Sequence, residues 1–280
     1  MKRINTTAIL GFLFVLIFTS CNSYKVFVSN EIERKYILHI PKNLPPNAPL
    51  VFALHGYGNK AGFIKLYTDM NSLADKNGFA VVYPQGLKDN KGNTHWNADL
   101  TISKVDDVGF LTNLASHLQK SHDLNPQKTY VFGISNGGFM AYTLACKVPD
   151  KFAGIASIIG SIGGNTWDKR DSLALPVPVL QVSGLMDKRV LIDGSVIVAG
   201  GWSGAPHMDK VMEYWANKNK CTTTDTLNYS PEVNAFHYKG GVNDNQVWYY
   251  KIGNLKHTYP TKRKHGLRTS ELIWEFFSQI

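Results

Sequence analysis

Residues 129–146 constrain this chain more than any other stretch. Thr129-Tyr130-Val131-Phe132 is β-branched and aromatic, the make-up of a buried strand, and Gly138 to Cys146 reads as a helix. Between them stands Gly133-Ile134-Ser135-Asn136-Gly137. A serine at such a junction, with glycine two positions before and two after, can occupy a turn too tight for side chains at the flanking positions. That turn lifts the Ser135 hydroxyl clear of the sheet. It also leaves the Asn136 N–H at a helix start, where unpaired donors and the positive end of the helix dipole favour a developing oxyanion. Ser135 is therefore the candidate nucleophile. The same five residues also fit an ordinary glycine-rich connection, so the reading rests on the strand before and the helix after.

Further strands are expected at 33–40, which alternates, and at 50–54, 79–83, 152–160, 177–183 and 246–252, which are largely apolar. Helices are expected at 69–77, 105–121 and 271–278. Strands alternating with helices predict an α/β fold, a mostly parallel central sheet with helices on both faces. With 280 residues and 44% hydrophobic content the chain can bury one large core, so residues 33–280 are expected to be a single domain. Asp106 and Asp107, in the first turn of the second helix, read as caps.

A nucleophilic serine needs a base, and the base needs an orienting carboxylate, each in a loop at the carboxyl end of a later strand. Gly184-Leu185-Met186-Asp187 follows the strand at 177–183, which nominates Asp187; Asp193, further along, is its rival. Of nine histidines only His257 and His265 fall between the last strand and the last helix, and His257 sits nearer the strand end. After the strand at 50–54 comes His55-Gly56-Tyr57-Gly58, a loop suited to supply a second oxyanion donor, the Tyr57 N–H, beside that of Asn136. Trp96, in the loop at 89–101, and Trp202 are candidate substrate-binding walls; Trp96 is either part of the pocket or a lid resting on the core.

A formal charge of +9 raises the possibility of nucleic-acid binding, but no stripe of Lys and Arg interleaved with aromatics supports it, and none is expected. Lys262-Arg263-Lys264 reads as a solvated loop, with the further option of attracting acidic substrates. Lys2, Arg3 and the apolar run at 8–18 have the form of a signal peptide over 1–20, too short to span a bilayer comfortably. Small residues before Cys21 resemble the lipobox of bacterial lipoproteins, which predicts lipidation of Cys21 and attachment to a membrane through that lipid alone, with an ordinary secretory signal or an uncleaved anchor as the alternatives. Residues 21–32 are then a short polar tether. Cys146 and Cys221 remain, as a disulfide or as free thiols.

Leu54-His55-Gly56-Tyr57-Gly58-Asn59, Tyr83-Pro84-Gln85-Gly86, the run at 105–111, the run at 133–142, Pro149-Asp150-Lys151-Phe152-Ala153 and His257-Thr258-Tyr259-Pro260 together resemble the polyhydroxybutyrate depolymerase group of esterases. That group is close to the feruloyl and acetylxylan esterases of carbohydrate esterase family one. The resemblance implies an α/β-hydrolase fold, no cofactor, no metal, and hydrolysis of carboxylic esters through an acyl-enzyme, with Ser135, Asp187 and His257 on the triad positions. The implied substrates are polyhydroxybutyrate-type oligoesters or feruloyl and acetyl esters of plant polysaccharides. Three departures touch the pocket, one of them that Tyr57 occupies a position where the group carries a cysteine near the oxyanion loop. Ser183-Gly184-Leu185-Met186-Asp187 stands where the group often has His-Gly-Thr-x-Asp, and Leu255-Lys256 precedes His257 with Tyr259 in place of the usual tryptophan. A serine peptidase on the same fold and a non-catalytic polymer-binding surface lipoprotein are the competing expectations.

Overall fold

The computed structural model describes residues 24–172, 175–195 and 201–280. The expected signal peptide and Cys21 lie outside these residues. Ten strands form one sheet: β1 (Lys25–Ser29), β2 (Ile32–His39), β3 (Ala48–Leu54), β4 (Ala80–Pro84), β5 (Leu124–Ile134), β6 (Gly154–Ile158), β7 (Val179–Gly184), β8 (Thr223–Ser230), β9 (Val233–Lys239) and β10 (Val247–Ile252). The helices are α1 (Ala61–Thr68), α2 (Met70–Asn77), α3 (Asp107–His122), α4 (Asn136–Lys147), α5 (Gly164–Asp168), α6 (Met208–Lys218), α7 (Lys262–His265) and α8 (Thr269–Ser278).

The sheet order is β1-β2-β4-β3-β5-β6-β7-β10-β9-β8. From β4 through β10 neighbouring strands run parallel, and antiparallel strands flank this block on both sides. Because successive side chains of a strand point to opposite faces, an apolar run with no polar alternation must be covered twice. In β3, Leu50, Phe52 and Leu54 enter a core shared with α3, α4 and α6, whereas Val51 and Ala53 enter the opposite core, with α1, α2 and α8. The expected layering is what the chain adopts. Parallel strands also deliver all their carboxyl ends to one edge of the sheet, and that edge is where loops gather residues from distant parts of the sequence.

Several local expectations are corrected. The segment expected as a tether is a strand from Lys25 onward: β1 pairs antiparallel with β2 through a turn in which Asn30 and Glu31 both take positive φ (49° and 65°), the hairpin geometry that matches strand twist. The helix expected at 69–77 is preceded by α1, and Asp69, at φ 50°, forms the break between the two. Asp106 is a cap, its carboxylate accepting the Gly109 N–H at 2.8 Å, but Asp107 is not: it lies buried in an ion pair with Arg34 at 2.6 Å. Cys146 and Cys221 are free thiols.

Candidate active site

β5 ends at Ile134, and Ser135 follows at φ 53°, ψ −117°, a backbone state that L-residues rarely hold outside sites where the surroundings enforce it. The enforcement is visible. The Ser135 N–H donates to the Ile158 carbonyl at 2.9 Å, and the Ser135 carbonyl accepts from Gly138 and Phe139 at the start of α4. A Cβ at Gly133 would collide with the Gly137 carbonyl, and one at Gly137 with the Leu54 carbonyl, so both glycines are needed for strand, turn and helix to close up.

Ser135 Oγ lies 2.9 Å from His257 Nε2, and His257 Nδ1 lies 2.7 Å from Asp187 Oδ2. An ionised carboxylate only accepts, so Nδ1 carries the ring proton and Nε2 presents its lone pair to the serine hydroxyl. Burial opposes charge on Asp187, but the His257 hydrogen bond and the N–H groups of Val190 and Arg189, at 3.0 and 2.8 Å from Oδ1, outweigh it and hold the carboxyl below its usual range. The loops bearing acid and base are tied together: Leu185 N–H donates to the Ile252 carbonyl and Met186 N–H to that of Leu255. Leu255, two residues before His257, is buried and serves as the anchor of that loop. The rivals are elsewhere engaged. Asp193 is exposed and holds Ser195, and His265 accepts the Thr261 N–H.

The second loop is organised by His55. Its Nε2 accepts from the Gly86 N–H at 3.0 Å, so its protonated Nδ1 donates to the Gly56 carbonyl at 2.8 Å. Burial pushes its pKa down to about 4, which keeps the ring neutral and this polarity fixed at neutral pH. The Gly56 carbonyl and the Tyr57 N–H belong to one planar trans peptide and point in opposite directions, so holding the carbonyl orients the N–H. Among the described residues neither the Tyr57 N–H nor the Asn136 N–H donates to a protein acceptor.

Trp96 is corrected from wall to foundation. It is fully buried and absent from the cleft lining, because its polar atoms are drawn inward. The indole N–H donates to the His55 carbonyl at 2.9 Å, while its backbone exchanges two hydrogen bonds with the Asn136 side chain at 2.7 and 3.0 Å. It thus joins the loop carrying Tyr57 to the turn carrying Asn136.

A cleft of about 740 Å³ opens over Ser135 and His257. Trp202 lines it, packed edge-on against Tyr57 and Phe139, and a second aromatic group, Phe63, Tyr67 and Tyr259, lines it too. Sequence reasoning missed Phe63 and Tyr67, although their i, i+4 spacing is a helical signature, and it missed Lys188 and Arg189, which enter the lining directly after the acid. Among the described residues no cluster of His, Cys, Asp and Glu is placed to hold a metal ion.

The family model for esterase PHB depolymerase matches residues 35–215. The chain belongs to the esterase PHB depolymerase family. Ser135 and Asp187 fall inside the matched residues, whereas His257 lies beyond them and is joined to the pair by geometry. Poly(3-hydroxyalkanoate) depolymerase C of Paucimonas lemoignei is 33% identical over 138 residues, which are 48% of this chain and 33% of that protein. The bifunctional acetylxylan esterase/xylanase XynS20E of Neocallimastix patriciarum is 25% identical over 249 residues, 86% of this chain and 32% of its own length. The chain therefore spans about a third of the length of these two curated relatives. An acetyl xylan esterase from Aspergillus awamori shares the fold, with a TM-score of 0.65 at 16% identity over 92% of this chain and all of that one.

Proposed function

We propose that this protein is an exported serine carboxylic-ester hydrolase working through an acyl-enzyme, on oligoesters of the polyhydroxybutyrate type or on feruloyl and acetyl esters of plant polysaccharides. The single observation that carries the reading is the chain of contacts from Ser135 Oγ through His257 to Asp187 beneath an open aromatic cleft. His257 Nε2 takes the Ser135 proton as Oγ attacks the ester carbonyl, and the imidazolium that forms is stabilised by Asp187. The oxyanion is received by the N–H groups of Tyr57 and Asn136. His257 then protonates the departing alcohol, and a water activated by the same ring releases the acid and frees Ser135. The aromatic walls suit the apolar body of a hydroxyacid oligomer or a ring-bearing acyl group. The names of the relatives supply the two substrate branches.

The test is hydrolysis of 4-nitrophenyl acetate and butyrate, methyl ferulate, acetylated xylan and a 3-hydroxybutyrate oligomer, with Ser135→Ala in parallel. We expect turnover of at least one ester and a fall on the order of a millionfold in kcat in the variant. Turnover no greater than that of Ser135→Ala on every ester would remove the reading. Export and lipidation at Cys21 form part of the same proposal and are supported by the sequence alone. Incorporation of a fatty-acid analogue into the wild-type protein and its loss in Cys21→Ser is the expected outcome.

A further inference from the structure

We propose that Lys188 and Arg189 form an anion-binding subsite, and that the preferred substrates are esters carrying a free carboxylate in their acyl or alcohol half. This rests on the ester-hydrolase reading and narrows it to a substrate class.

The cleft favours an anion by what lines it. Its walls are aromatic, aliphatic and hydroxyl-bearing, with Lys188 and Arg189 as cations, and they include no Asp or Glu. Both cations are exposed, and among the described residues neither enters an ion pair. The acids nearest in sequence are already committed. Asp187 accepts His257 on one oxygen and two backbone N–H groups on the other, and Asp193 holds Ser195. Two cations bordering a catalytic serine and left without a counter-charge are an arrangement that an anionic ligand completes.

Position strengthens the point. Lys188 and Arg189 lie one and two residues beyond the triad acid, in a loop whose backbone is pinned to that acid, so their main chain is held beside the reacting centre. Val190, next in the chain, packs into the core to which Phe139 and Trp202 also belong. A second basic run adds to the field: Thr261 lines the cleft and α7 follows at once with exposed Lys262, Arg263 and Lys264. A guanidinium and an ammonium lining one cleft suit a carboxylate, with Arg supplying a planar fork and Lys a point charge.

The test compares matched esters. Mono-4-nitrophenyl glutarate is set against its methyl ester, and 3-carboxyphenyl butyrate against phenyl butyrate, in the wild-type protein, Lys188→Gln, Arg189→Gln and the double variant. The readout is the ratio of kcat/KM for the anionic to the neutral member. We expect one pair to favour the anion by about tenfold at low salt, falling toward unity in the double variant and in about 0.5 M salt. A ratio at or below one, or a preference indifferent to both charge removal and salt, overturns the subsite. Should the double variant fail to fold, the single variants and the salt dependence of the wild-type ratio decide. Binding of the same esters to Ser135→Ala, followed by tryptophan fluorescence, separates the two proposals. Preferential binding of the anion without wild-type turnover keeps the subsite and removes the esterase. Turnover with equal binding does the reverse.

Discussion

Ser135 sits in a backbone state that its neighbours impose, and three other residues do comparable work without touching a substrate. His55 holds the Gly56 carbonyl, Trp96 holds the His55 carbonyl and the Asn136 side chain, and Leu255 anchors the loop of His257. Replacing Trp96 by Phe keeps most of the ring and deletes one donor, leaving the buried His55 carbonyl unpaired. We expect a loss of about 1–3 kcal/mol in stability together with a lower kcat at nearly constant KM, read by urea unfolding and steady-state kinetics. The neutral His55 also sets a pH dependence. Its pKa is depressed in the folded protein from 6.5 to about 4, so the unfolded chain binds the proton first. The stabilising contribution is therefore complete above pH 6.5 and is lost as pH falls toward 4. His237, stacked on Trp248 and likewise lowered to about 4, acts in the same direction. Between pH 6.5 and 5 the urea midpoint should fall, with His55 alone contributing a slope of up to about 1.4 kcal/mol per pH unit. A midpoint that stays level across that window would contradict the assignment.

At the scale of elements, β2, α3 and the loop at 97 are joined through one buried ion pair. Asp107 accepts Arg34 at 2.6 Å on one oxygen and the Asn97 N–H at 2.7 Å on the other, and the guanidinium lies over the Phe110 ring. Asp107→Asn strands a buried guanidinium, and a loss of about 3–5 kcal/mol is expected by denaturant titration. A change below 1 kcal/mol would show that Arg34 finds another partner. The elements that were legible in the sequence share a physical cause. Strands β3 and β4 are covered on both faces, and double burial favours unbroken apolar runs. The elements that were not legible obey weaker demands. β1 is an edge strand with Val26 and Val28 half exposed, so nothing forces a clean alternation. β8 is a polar edge with little burial anywhere along it. In α1 the large side chains Phe63, Leu66 and Tyr67 face outward, inverting the usual pattern of an amphipathic helix.

For the molecule as a whole, the parallel block explains why the site could be read at all. Ser135, Asp187, His257 and Tyr57 each stand a few residues past the carboxyl end of β5, β7, β10 and β3, and parallel strands deliver those ends to one edge. Order along the chain thus stood in for proximity. Burial of a loop leaves no such mark. The place of Trp96 in a long loop suggested a pocket wall or a lid, whereas the loop is drawn under the site by hydrogen bonds that only the fold creates. The charge of Lys188 and Arg189 acquires meaning only once the acid-free cleft around them is known. The most direct test of the central claim, that Ser135, His257 and Asp187 act as one acyl-transfer unit, is reaction with a fluorophosphonate followed by peptide mass mapping. The account predicts a single adduct on Ser135, slowed by several orders of magnitude in His257→Gln and absent in Ser135→Ala. No adduct on the folded wild-type protein, or one that persists in Ser135→Ala, would contradict it.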